Sequence, residues 1–214
     1  MIAVITGDII NSRVLTDQLS WLQPLKILLS EWGSTPARWE IYRGDSFQVE
    51  MTDPLLALGA AMRIKAVIKA VQPDEEDKRT SPIDVRMAVG IGAKEYTAER
   101  ISESNGPAFV YSGEQFEKIK KEKISLAICT PWAEFDREMN LYIRLALIAM
   151  DNWSIGSGEL MNILLKHPEL NQQQIADKLN IEQNSASGRY KRAYVEEMLL
   201  MESMFKEKLK TLLS

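Results

Sequence analysis

The chain has 214 residues, 45% of them hydrophobic and 26% charged, with a formal net charge of −4. That is apolar material for one large domain or two small ones, and nothing in it suggests disorder. An acidic balance excludes a general nucleic-acid coat, a single cysteine (Cys129) excludes an intrachain disulfide, and a single histidine (His167) excludes a Cys/His zinc site.

In chain order, Ile2 to Thr6 is continuously apolar and predicts a central strand, followed directly by Gly7-Asp8. Residues 14–32 carry leucines at helical spacing, with Pro24 predicting a kink or two short helices. Strands are predicted at 37–42 and 47–51, joined as a hairpin with Gly44-Asp45 at its tip. Asp53-Pro54 reads as an N-cap and first-turn proline, opening a helix to about Val71 whose buried stripe is Leu55, Leu58, Met62, Ala66 and Val67. The polar stretch 73–82 predicts a solvated loop. Val85, Met87, Val89 and Ile91 alternate with smaller or polar residues as a period-two strand. A helix at 113–122 and a strand at 124–129 follow, with Cys129 read as core.

From Pro131 onward the chain reads as helical: 132–150, a break at 154–158, 159–166, and then Asn171 to Leu213. The fold class predicted is α/β (α+β). A ferredoxin-like βαββαβ unit over 1–130, extended by one more helix and strand, precedes an all-α unit over 131–214. No apolar run approaches a membrane span and no basic leader opens the chain, so a soluble, cytoplasmic protein without a membrane partner is expected.

The split βαβ order makes the first strand and the hairpin neighbours, which brings Asp8 and Asp45 to one sheet edge. Two carboxylates there, with the main-chain carbonyl of Ile9, form a candidate oxygen-ligand set for Mg²⁺ against a nucleoside triphosphate. Asn11, Ser12 and Arg13 follow at an expected helix N-terminus, a natural anion site, and join Gly44 as nucleotide-binding candidates. The plainer alternative is ordinary turn and cap chemistry for each Gly-Asp.

Gly7-Asp8-Ile9, Arg43-Gly44-Asp45-Ser46-Phe47 and the strand 85–91 resemble the catalytic core of class III nucleotide cyclases and the related diguanylate-cyclase domains. The resemblance implies that Asp8 and Asp45 hold two metal ions that position a triphosphate. The run Ala3 to Arg13, the stretch 43–48, Val89-Gly90-Ile91-Gly92 and Ser104-Asn105-Gly106-Pro107-Ala108-Phe109 resemble the SatD-like family of bacterial proteins more closely. That likeness implies the architecture more than a reaction.

Near the C-terminus, Gln172 to Ile181 and Glu182 to Ala193 have the pattern of two helices meeting at a tight turn, with Ile175, Leu179, Ile181, Ala186 and Tyr190 inward and Asn180 suited to a left-handed turn position. The pattern resembles a bacterial helix-turn-helix. It implies that Gln183, Asn184, Ser185 and Ser187 read bases in double-stranded DNA and that Arg189, Lys191 and Arg192 meet phosphates. The alternative is a helical packing module. The final helix, with Tyr190, Tyr194, Met198, Met201, Phe205 and Leu212 as a stripe, offers a homodimer seam. The function expected is a DNA-binding regulator with a nucleotide- or metal-sensing domain; the rival is a two-metal nucleotidyl cyclase or transferase regulated by its helical tail.

Overall fold

A computed structural model describes residues 1–42, 44–73 and 79–214. Arg43 and residues 74–78 of the predicted loop at 73–82 lie outside the described residues. The chain is α+β. Five strands, β1 (Ile2–Ile10), β2 (Trp39–Tyr42), β3 (Ser46–Met51), β4 (Asp84–Gly92) and β5 (Leu126–Cys129), form one mixed sheet in the order β2-β3-β1-β4-β5. All pairings are antiparallel except β4 with β5. Eight α-helices lie among the described residues: α1 (Leu19–Ser30), α2 (Ala57–Lys69), α3 (Pro107–Glu122), α4 (Ala133–Met150), α5 (Ile155–Lys166), α6 (Gln172–Leu179), α7 (Gln183–Arg192) and α8 (Val195–Leu213).

The central strand is longer than the apolar run predicts. β1 pairs on both sides through Asp8, opposite Ser46 and Arg86, so Gly7 and Asp8 stand inside the strand rather than after it. Gly7 is needed for packing, because a Cβ there would meet the Phe47 ring at 2.5 Å. Alternation along β1 sends Ala3, Ile5 and Ile9 to one face and Val4, Thr6 and Asp8 to the other. The first face carries the main core under α1, α2 and α4, and a single cluster of buried residues runs from Ala3 to Leu209. The second face is covered by α3, which packs on β4 and β1.

Several expectations are corrected. Residues 14–18 are not helical: α1 begins at Leu19, where the Asp17 carboxylate accepts the Leu19 N–H at 2.8 Å, and Pro24 is carried inside one helix. The helix after Gly106 starts at Pro107, six residues earlier than its apolar spacing suggested, because Pro107 supplies the first helical position. Residues 156–158 do not break the chain, since Ser154 caps α5 by accepting the Ser157 N–H. Gly158 lies inside that helix, where its missing side chain lets α5 approach α2: a Cβ would stand 2.6 Å from the Ala66 carbonyl oxygen. The helix predicted from Asp53-Pro54 is present, with the Asp53 carboxylate accepting the Leu55 N–H across a 3-10 turn.

α2 lies between the sheet and the later helices, so burial goes all round it rather than along one stripe. Its fully buried Lys65 ammonium is matched by Asp84 Oδ1 at 2.8 Å, Asp151 Oδ1 at 2.7 Å and Ser125 Oγ at 3.3 Å. The long final helix is also interrupted. The Trp153 indole N–H donates to the Ala193 carbonyl at 3.2 Å, Tyr194 turns left-handed (φ 54°), and α8 starts afresh at Val195. Tyr194 and Leu212 are consequently exposed, while Met198, Met201, Phe205 and Leu209 are buried.

Candidate functional site

The sheet edge where β1 ends gathers Asp8, Asp45 and Ser12. The Gly44 left-handed turn (φ 90°) lifts the hairpin tip beside β1, and the Ile9 N–H donates to the Asp45 carbonyl at 3.0 Å. In strand geometry the N–H and C=O of one residue point the same way, so the Ile9 carbonyl also faces the hairpin. The Ser12 hydroxyl donates to Asp45 Oδ2 at 2.9 Å, which orients that carboxylate and occupies one of its oxygens.

Cross-strand pairing adds a residue absent from the sequence-based set. Arg86 stands directly opposite Asp8 on β4, and its Nη1 lies 3.4 Å from Asp8 Oδ2. Lys120 and Glu117 of α3 also act on Asp8 electrostatically. Burial raises the Asp8 carboxyl above its usual 3.8; Arg86 and Lys120 pull it down, and Asp45 and Glu117 push it further up. Burial prevails because the Arg86 contact is long and Asp8 Oδ1 is buried with no hydrogen-bond partner among the described residues. An orphaned carboxylate oxygen near a second carboxylate is an arrangement that a hard cation satisfies. Among the described residues no cluster of three or more His, Cys, Asp or Glu occurs, so main-chain carbonyl and water would complete such a shell.

The nucleotide candidates separate. Asn11 is exposed with a left-handed backbone (φ 60°), Ser12 is buried on Asp45, and Arg13 is exposed. No helix begins there, so the expected anion site at a helix N-terminus directly after Asp8 is absent; α1 starts six residues beyond Arg13. Two motifs of the SatD-like resemblance meet each other instead of this edge. Gly90 and Gly92 of β4 seat the start of α3, where a Cβ on Gly90 would stand 2.2 Å from the Ala108 carbonyl oxygen. Cys129 is half-buried, and burial pushes its thiol up to about 11, which keeps it protonated and unreactive near neutral pH.

At the other candidate site, α6 opens with a capping box between Asn171 and Gln174 and ends at Asn180 in the left-handed conformation (φ 51°). α7 follows after the three residues 180–182. Ile175, Ala176 and Ala186 are buried, with Leu179, Ile181 and Tyr190 partly so. Gln183, Asn184 and Ser185 are exposed in the first turn of α7, and Ser187 is half-buried one turn later. Lys191 and Arg192 are exposed, whereas Arg189 turns back to α5 and holds Glu159 at 2.6 Å. Arg189 is thus committed to an internal ion pair, which its sequence position alone did not disclose.

Compared with models of known protein families and with curated protein sequences, the chain matches none.

Proposed function

We propose that this protein is a DNA-binding regulator whose sheet unit senses a metal ion or nucleotide. The observation that carries the DNA reading is the α6–α7 pair: a three-residue turn through left-handed Asn180, with exposed polar side chains in the first turn of the second helix. On this reading α6 and α7 form a helix-turn-helix in which Gln183, Asn184, Ser185 and Ser187 read base edges and Lys191 and Arg192 hold phosphates. Arg189 contributes only after exchanging Glu159 for DNA. Neutralising few phosphates makes binding weak, with a shallow dependence on salt. The test is retention of duplex DNA at low salt: Arg189→Ala/Arg192→Ala should abolish it and Lys191→Ala should weaken it across all sequences. Unchanged retention in the double variant refutes the assignment.

We read the first four strands and their helices as a ferredoxin-like, cyclase-related unit, and the chain as SatD-like with a domain division near 130. The order β2-β3-β1-β4 with β1 antiparallel to both neighbours supports the first of these. A bound Mg²⁺ would be held by Asp8, Asp45 and the Ile9 carbonyl, and would neutralise the phosphates of a nucleotide there. A second copy is the partner we assign to the C-terminal helices, because α4 and α8 share an outward apolar seam with Leu145, Ile148 and Leu200 exposed.

One observation favours a second reading, a metal-dependent nucleotidyltransferase: the buried, unpartnered Asp8 Oδ1 beside Asp45. Incubation with each nucleoside triphosphate and Mg²⁺ or Mn²⁺ tests it. Pyrophosphate release that disappears in Asp8→Asn makes the protein an enzyme; no turnover leaves the pair as a sensor.

A further inference from the structure

Beside α7 the surface folds into a cavity of about 860 Å³ lined in part by Arg189 and Arg192, which the DNA reading also uses. Its lining is polar and unequal in charge. Arg79, from the lead-in to β4, and Arg189 and Arg192, from α7, line it, with Glu159 as the carboxylate that answers them among the described residues. In a chain with a net charge of −4 this concentration is local and does not follow from composition.

The first turn of α5 forms one wall. The Ile155 N–H is used by the Arg79 carbonyl at 3.0 Å and the Ser157 N–H by Ser154 Oγ at 3.2 Å, while the Gly156 N–H has no acceptor among the described residues. Gly156 has an ordinary backbone, so its glycine is not required by φ. It does leave room for Arg189: a Cβ at Gly156 would stand 2.8 Å from that side chain's Cζ and Nε, and the guanidinium would have to shift. A guanidinium is thereby held against the positive end of a helix, beside a second exposed guanidinium, an arrangement that repels unless an anion joins it. Glu159 answers Arg189 alone, at 2.6 Å. Tyr194, lifted out of both flanking helices by its left-handed backbone, lines the same cavity and offers a ring face.

We propose that this cavity binds a phosphorylated small molecule, with the phosphate taken by Arg79, Arg192 and the Gly156 N–H. Guanidinium forks match phosphate oxygens in bidentate geometry, and the volume falls in the range of small-molecule sites. A DNA backbone phosphate has the same chemistry. A concavity whose innermost cation, Arg189, is half-buried favours the free ligand.

Calorimetric titration of the full chain with inorganic phosphate and pyrophosphate, in EDTA and low salt, tests the proposal and keeps the carboxylate edge unloaded. Saturable one-site binding is expected. Arg79→Ala/Arg192→Ala should weaken it at least tenfold, and Gly156→Ala, which displaces Arg189, should weaken it too. Asp8→Asn should bind as wild type. Both arginines are exposed, so the double variant should unfold at the wild-type temperature, and Gly156→Ala serves as the second probe. Binding that survives the arginine changes but is lost in Asp8→Asn overturns the proposal and moves the anion to the Asp8 edge. No binding of either free anion, with duplex DNA retention lost in Arg79→Ala/Arg192→Ala, overturns it in favour of a DNA-phosphate contact. No binding of any kind overturns it outright.

Discussion

Replacing Gly158 by alanine should separate two helices that the rest of the molecule needs in contact. The added Cβ would meet the Ala66 carbonyl oxygen at 2.6 Å, the Ala70 nitrogen at 2.8 Å and the Lys69 carbonyl carbon at 3.0 Å. All three are main-chain atoms of α2 and its C-cap, so no side chain can swing aside, and α5 must lift off. Overpacking against main-chain atoms takes the upper part of the usual range, about 2–3 kcal/mol, offset by the roughly 1 kcal/mol that alanine gains over glycine in a helix. A net loss of about 1–2 kcal/mol in a chain of this size lowers the unfolding temperature by roughly 2–8 °C. Gly113 supplies the control. It too lies inside a helix, α3, but a Cβ there has nothing within 4 Å, so Gly113→Ala keeps only the propensity gain and should raise the midpoint by roughly 2–4 °C. Thermal and denaturant unfolding of the two variants against wild type decide the matter. If Gly158→Ala is as stable as wild type, or rises in step with Gly113→Ala, the close seating of α5 on α2 is wrong.

The Asp8 carboxyl sits above 3.8 in the folded chain, chiefly through burial, so the folded state holds its proton more tightly than the unfolded state does. Stability from that proton is present below 3.8 and lost as the pH rises through the raised value. Across that window the stability difference between Asp8→Asn and wild type should shift in favour of the variant, then stay level; a difference independent of pH counts against the assignment. Added Mg²⁺ should raise the wild-type unfolding midpoint, by the equivalent of about 2.7 kcal/mol at a hundredfold excess over its dissociation constant, and should leave Asp8→Asn unmoved. An equal rise in both would place the ion elsewhere. Cys129 should react with a thiol reagent at neutral pH roughly a hundredfold more slowly than its thiolate fraction would allow at the ordinary value of 9.0, and should accelerate toward pH 11. Rapid labelling of the native chain would contradict its burial.

Much of the sheet was legible because its signals are local. The alternation of Val85, Met87, Val89 and Ile91 marks a strand wherever it sits, and Asp53-Pro54 carries its cap in its own side chains. Asn180 was readable for the same reason, since asparagine tolerates the left-handed turn. The misplaced boundaries at Leu19, Pro107 and Ile155 have another origin. Each is marked by a single residue, the Asp17 carboxylate, Pro107 or the Ser154 hydroxyl, which apolar periodicity does not record, while the glycines of β4 and α5 serve neighbours that only packing brings close.

The sequence by itself determined the elements, the pair of Gly-Asp steps and the polar first turn of α7, because propensity, patterning and turn chemistry act over a few residues. Only the tertiary structure decided which charges meet. It set Arg86 opposite Asp8, buried Lys65 between Asp84 and Asp151, turned Arg189 onto Glu159 and broke the last helix with the Trp153 indole. Electrostatic partners are fixed by strand register and helix packing between residues 19 to 86 positions apart, and the energy of a charge depends on what lies across that gap.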